Sequence, residues 1–226
     1  MYDLVIQNVR VIDGSSASWF RGWVGVRDGV IAAVGTGRPP QDTRETVDGE
    51  DRYLTPGFID IHSHSDVSLP ACPTAESRIL QGITTEIGGD CGISAAPVSR
   101  DPARKQQLRD YVGGLEYNWE GVGDYLDLLE AKRTSANFGT AVGHGTIRVA
   151  AMGFDAREPD PAEMEAMKAM LRQSLEEGAF CLSSGLIYPP GCYAGTDELV
   201  ELCRELVPYG AFYETHMRDE GEHVVE

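Results

Sequence analysis

Positive charge is scarce in this sequence. Nineteen lysines and arginines face 36 aspartates and glutamates over 226 residues, a formal net charge of −17. Nucleic acids and anionic membranes both require a basic surface, so this balance argues against either partner. Cysteine is sparse as well: five residues, at 72, 91, 181, 192 and 203, an odd number at irregular spacing. A disulfide framework is therefore not expected; free thiols or a metal-binding thiolate are. No apolar run approaches the roughly 18 residues of a membrane span. The opening MYDLVIQNVRVIDG has neither the basic start nor the apolar core of a secretory leader. The chain reads as cytoplasmic. What it does have, 42% hydrophobic residues with 26 glycines and 12 prolines, suits a globular protein with many turns.

Residues 1–54 carry short alternating segments, YDLVIQ, VRVID, GWVGVRDG and VIAAVG, separated by Gly14, Asp28–Gly29 and Gly35. A period of two with glycine punctuation predicts a small antiparallel sheet or sandwich. From residue 55 to 226 the rhythm changes. Apolar strands are expected at 58–61, 83–87, 138–142, 179–182 and 211–215, alternating with helical stretches. Asp160-Pro161-Ala162-Glu163 supplies an N-cap, a proline at the first helical position and a carboxylate at the third. Met164, Met167, Met170, Leu171 and Leu175 then share one face, and Gly178 ends the helix. Thr196 opens another, with Leu199, Leu202 and Leu206 inward; residues 101–135 are expected to be helical with an inserted loop. Such alternation implies parallel strands joined by crossover helices. A closed eight-stranded barrel takes roughly 250 residues, and about 170 follow Pro56. Either the fold is another α/β type with five parallel strands, or it is a barrel represented by five units.

In parallel α/β sheets ligands bind at the carboxyl ends of strands. The five expected ends carry His62-Ser63-His64, Gly88-Gly89-Asp90-Cys91-Gly92, Gly143-His144-Gly145, Ser183-Ser184-Gly185 and His216-Met217-Arg218-Asp219-Glu220. Four of the five histidines fall there. On an extended strand His-x-His places both imidazoles on one face; a pair of solvent-facing turn histidines is the plain alternative. Cys91 alone reads equally well as a small buried residue, and His216 as a hydrogen-bonded core histidine. Together, His62, His64, Cys91 and His216 favour a zinc-type site, because zinc accepts mixed nitrogen and sulfur ligands. His144 is a candidate for substrate contact or for support behind the ligands. Arg218 and Glu220 are candidates for orienting ligands or pairing a substrate carboxylate, whereas Asp219 reads as solvated charge.

Several motifs in order, "TPGFIDIHSHSD", "GITTEIGGDCGIS", "GHGTIR", "GLIYPPGCYA" and "ETHMRDEG", resemble the amidohydrolase superfamily. "GGDCG" with "LIYPPG" and "HMRDE" resembles its N-acyl-D-amino-acid deacylase (D-aminoacylase) branch, over nearly the whole chain. The resemblance implies a metal-dependent (β/α)8 barrel of the amidohydrolase type, about five units of it here (55–226), beside a small β-sandwich (1–54) completed by C-terminal strands. It implies zinc-dependent hydrolysis of N-acyl-D-amino acids, with Cys91 and His216 holding one tight zinc and His62 and His64 a second, weaker position. Tyr188 is implied as a substrate contact. A bridging lysine found in hydantoinase-like relatives has no counterpart in "FCLSSG", and Cys91 takes that role. The family's sixth-strand histidine and its general-base aspartate would lie beyond residue 226. The chain is accordingly expected to be the N-terminal part of a deacylase. The competing readings are a cyclic-amide hydrolase of the dihydropyrimidinase or hydantoinase kind, and an inactive fragment that needs a complementary C-terminal chain or segment.

Overall fold

The computed structural model describes all residues except 115, 117 and 226. The chain divides into two compact units, Met1–Gly57 and Phe58–Glu226.

The first unit is one mixed sheet. Its strands are β1 (Tyr2–Val11), β2 (Phe20–Arg27), β3 (Val30–Gly35), β4 (Thr43–Asp48) and β5 (Tyr53–Leu54). They lie in the order β3-β2-β1-β4, with β5 also paired to β1. β1 meets β2 antiparallel but β4 and β5 parallel. This corrects the expected antiparallel sheet or sandwich. Alternation tells which side chains share a face, but not which strands are neighbours or how they run. The β2–β3 hairpin turns on Asp28 and Gly29, with φ of 52° and 76°, the two positive values that match strand twist in a two-residue loop. Val9, Val11 and Val24 form the small buried core, flanked by Ile6, Phe20 and Leu54.

The second unit holds β6 (Phe58–Asp60), β7 (Ile83–Gly88), β8 (Asn137–Gly143), β9 (Cys181–Gly185) and β10 (Phe212–His216). All pair in parallel, in the order β10-β9-β8-β7-β6. Every strand lies beside its sequence neighbour, so the sheet winds one way without reversing. That order belongs to a (β/α) barrel, not to a doubly wound sheet, where the order reverses at a switch point. All five expected strands are present.

Between them run α1 (Glu76–Ile79), α2 (Pro102–Tyr111), α3 (Val122–Lys132), α4 (His144–Met152), α5 (Pro161–Glu176) and α6 (Thr196–Arg204). α5 begins as its sequence requires. The Asp160 carboxylate accepts from the Ala162 and Glu163 amides, and Glu163 accepts from the Asp160 amide. A cap of this kind is worth about 0.5–2 kcal/mol. Met167, Leu171 and Leu175 are buried beneath α5, each contributing about 1.5–3 kcal/mol when fully enclosed. Lys168–Glu201 and Arg172–Glu205, both 2.9 Å, join α5 to α6. α4 is buried along almost its whole length and packs against α2, α5 and β9. Among the described residues no helix is long and apolar enough to cross a membrane.

Candidate metal centre

His62 and His64 stand just past the end of β6, in the turn leading to a short 3-10 segment, Ser65–Val67. The expected extended His-x-His therefore forms one step later, as a turn, with the two rings edge to face and 5.8 Å apart. Buried polar groups hold this turn. The Ser63 amide donates to the Ile87 carbonyl (3.0 Å) and to Asp90 Oδ2 (2.8 Å). The Ser65 hydroxyl donates to Glu86, and Arg78 bridges Asp60 (3.2 Å) and Glu86 (2.9 Å). Asp66 Oδ2 accepts from the Ala95 amide at 2.8 Å, and its carbonyl accepts from the Tyr125 hydroxyl at 2.7 Å.

Cys91 lies in a tight turn after β7, with a left-handed backbone (φ 53°) between Gly89 (84°) and Gly92 (77°). A non-glycine residue there costs on the order of 1–3 kcal/mol and persists only when its surroundings impose it. Here they do. The Gly92 amide donates to Ser183 Oγ at 3.1 Å, the Ser183 hydroxyl donates to the Gly89 carbonyl, and the Thr146 amide donates to the Gly92 carbonyl at 3.1 Å. The turn also presses on two strand ends that leave no room for a side chain. A Cβ on Gly143 would lie 2.6 Å from the Gly92 carbonyl, and one on Gly185 2.2 Å from the Cys91 carbonyl oxygen.

The outcome is convergence. Cys91 Sγ lies 3.3 Å from His62 Nε2 and 3.6 Å from His216 Nδ1, at the end of β10. The donor atoms of His62, His64 and Cys91 all fall within 4.8 Å of one another. Imidazole nitrogens around one sulfur are a donor set suited to zinc.

The electrostatics suit a cation as well. Asp90 is wholly buried, with Oδ1 4.0 Å from His62 Nδ1. Glu214 precedes His216 by two residues on β10 and so shares its face; burial, then the neighbouring Asp90, push its carboxyl up to about 8. Burial first, then Asp90 and Glu214, raise the Cys91 thiol, and burial lowers His64. The His64 imidazole is thus in its ligand form at neutral pH, while the sulfur keeps its proton until a cation displaces it. Glu220 Oε1 lies 2.7 Å from His216 Nε2, behind the ring whose other nitrogen faces the sulfur. Asp90 and Glu214 were not singled out from the sequence. Adjacency to Cys91 marks the first, and period two along the last strand marks the second.

The remaining candidates divide. The Tyr188 hydroxyl stands 3.3 Å from His216 Nδ1, its ring edge to face with the imidazole at 4.9 Å. Arg218 is turned to the backbone, donating to the Ala194 carbonyl at 2.8 Å. His144 is not brought to the cluster. It begins α4 with its ring wholly buried and Nε2 2.8 Å from Glu198 Oε1. Direct substrate contact gives way here to that enclosed pairing.

A one-way parallel sheet with histidines and a cysteine at its strand ends defines a class. The Amidohydrolase family model matches residues 45–204, and the chain belongs to that family. It is similar to the D-aminoacylase of Alcaligenes xylosoxydans xylosoxydans, 39% identical over 99% of this chain and 46% of that protein. A crystal structure of D-aminoacylase matches with a TM-score of 0.90 at 39% identity, covering 100% of this chain and 47% of that one. N-acyl-D-glutamate deacylase from Bordetella bronchiseptica, solved with zinc and a phosphonate mimic of the tetrahedral intermediate, matches with a TM-score of 0.87. It is 37% identical over 99% of this chain and 46% of that one. The chain spans about half the length of the curated relatives it matches.

Proposed function

We propose that the protein hydrolyses the amide bond of N-acyl-D-amino acids with zinc, releasing a D-amino acid and a carboxylate. One observation carries the reading: the Cys91 sulfur lies between two imidazole nitrogens, at 3.3 and 3.6 Å. The 39% identity to D-aminoacylase supports the substrate class. Cys91 and His216 would hold a tightly bound zinc, and His62 and His64 would hold a second, weaker one. Bound there, the metal supplies Lewis acidity toward water and the amide carbonyl.

The chain's own groups do the rest. The Tyr188 hydroxyl is placed to donate a hydrogen bond to the substrate beside His216. Arg218 holds the Tyr188 loop at Ala194, with its guanidinium spare donors available to a substrate carboxylate. Glu220, 2.7 Å from His216 Nε2, steadies that imidazole, and the buried Asp90 carboxylate faces His62 at 4.0 Å. The general base is an aspartate on a C-terminal segment or complementary chain. The same segment completes the eight-stranded barrel at the edges β6 and β10, where Phe58, Ile59 and Phe212 are exposed. Five free cysteines support a reducing, cytoplasmic setting. The test is zinc content and turnover of the full-length protein with N-acetyl-D-amino acids, their L-enantiomers and hydantoins. Zinc with D-selective hydrolysis is expected. Turnover of hydantoins alone, or a protein that takes up no metal, would overturn the reading.

A further inference from the structure

We propose that a buried ion network, His144–Glu198–Arg148, positions the loop that presents Tyr188; this rests on the reading of Tyr188 as a substrate contact. The network is dry: His144 and Arg148 have no exposed surface and Glu198 is 5% exposed. Both carboxylate oxygens of Glu198 are used. His144 Nε2 lies 2.8 Å from Oε1, and Arg148 donates to Oε2 at 2.5 Å. The other arm of Arg148 donates to the Arg157 carbonyl at 2.6 Å. Burial pushes the Glu198 carboxyl up, yet His144 and Arg148 together bring it below the ordinary range, so it is ionised.

The position of this network in the chain gives it its consequence. His144 directly follows Gly143, where a Cβ would lie 2.6 Å from the Gly92 carbonyl in the Cys91 turn. Glu198 is in the first turn of α6, directly after residues 186–195, the loop that carries Tyr188. The network therefore sets that loop against the Cys91 turn from behind. The loop is otherwise tied by Arg218 at the Ala194 carbonyl and by backbone. The Leu186 amide donates to the His216 carbonyl and the Cys192 amide to the Tyr188 carbonyl, both at 2.9 Å. Gly191 sits on the Gly185 carbonyl, where a Cβ would approach to 2.4 Å. An apolar contact at Glu198 would let α6 slide. A carboxylate held at both oxygens by charged donors admits one geometry.

The experiment places a 3-fluorotyrosine at position 188 and follows its fluorine resonance in Glu198→Gln and His144→Gln, with Arg148→Lys as a charge-preserving third variant. The resonance is expected to shift and broaden in each folded variant with zinc content unchanged. In full-length enzyme, kcat/KM is expected to fall about tenfold to a hundredfold with Glu198→Gln, but less than about threefold once Tyr188→Phe is present. An unmoved resonance in folded variants overturns the proposal, as do additive losses from Glu198→Gln and Tyr188→Phe. A resonance that moves while kcat/KM holds upholds the positioning and sinks the substrate role of Tyr188 instead. Failure of Glu198→Gln and His144→Gln to fold shifts the test to Arg148→Lys, read by the same criteria.

Discussion

Zinc affinity at the centre is expected to rise at least about tenfold per pH unit from about pH 7.5 to 8.5, and Cys91→Ala is expected to lower that slope by about one decade per unit. The reasoning starts from the sulfur. Burial, then Asp90 and Glu214, hold the Cys91 thiol above its usual value, which is about 8.5. Throughout this window the metal-free site therefore carries a protonated thiol. A cation binds the thiolate, so each binding event releases that proton. Lowering the pH favours the protonated, metal-free form; raising it favours binding. One proton is worth about 1.4 kcal/mol per pH unit, hence the decade. Burial drives His64 below the usual imidazole value of about 6.5, so that ring releases no proton in the window. The sulfur is single and shared by His62 and His216, so it contributes one decade, and Glu214, held at about 8, adds a fraction of a second that falls as the pH rises through the window. Competition against a chelator of known affinity, at constant ionic strength, measures it. A wild-type slope below about half a decade per unit, or an equal slope in Cys91→Ala, would refute the argument.

Other perturbations probe the scaffold. Met167→Ala removes a fully buried side chain beneath α5 and is expected to cost about 2–5 kcal/mol in urea unfolding. Arg148→Met leaves the Glu198 carboxylate buried beside His144 alone. It is expected to cost about 3–5 kcal/mol, whereas replacing all three network residues by leucine or methionine stays within about 2 kcal/mol of the parent. Gly185→Ala forces a methyl to within 2.2 Å of the Cys91 carbonyl oxygen. It should cost about 1–3 kcal/mol and weaken zinc binding about tenfold or more; unchanged chelator competition would show the close approach to be irrelevant. Burial keeps the Asp66 carboxyl protonated up to about 7, while in the unfolded chain it ionises near 3.9. Its contribution is complete below about pH 4 and lost as pH rises through 7, a difference of roughly 4 kcal/mol at most. Asp66→Asn is expected to flatten that part of the stability profile, measured as urea midpoints at several pH values.

Much of the second unit was readable because its signals are local. β7, β8 and β10 are short segments rich in β-branched and aromatic residues, and Asp160-Pro161-Ala162-Glu163 carries the whole capping arrangement of α5 in four residues. The Asp28–Gly29 turn is equally local. Strand direction in the first unit is not. Nothing in TRETVD says that it pairs with β1 in parallel, because parallel pairing is decided by partners some 40 residues apart. The same limit separates the site residues. That His62, His64, Cys91 and His216 come near one another was legible from one rule, that chemistry gathers at carboxyl ends of parallel strands. His144 obeyed the same rule by position and not by orientation. Its partner Glu198 lies 54 residues away, in a helix whose sequence shows an ordinary acidic first turn.

Cys91 marks the point where local reasoning stops and tertiary reasoning begins. Glycines around a cysteine announce a turn, and a reader of propensities would give the left-handed positions to glycine alone. The structure gives one of them to the cysteine itself. That conformation is unfavourable on any local account. It is held because Ser183 anchors the turn from β9, Thr146 anchors it from α4, and the ends of β8 and β9 lack side chains where its backbone passes. Relaxing the turn to an extended backbone would swing the Cα–Cβ bond and carry Sγ away from both imidazoles. The strain and the aim of the sulfur are therefore one feature, sustained by residues 50 to 100 positions away. It follows that substitutions at Gly143, Ser183 or Gly185, none of which offers a metal ligand, should weaken zinc binding before they unfold the protein.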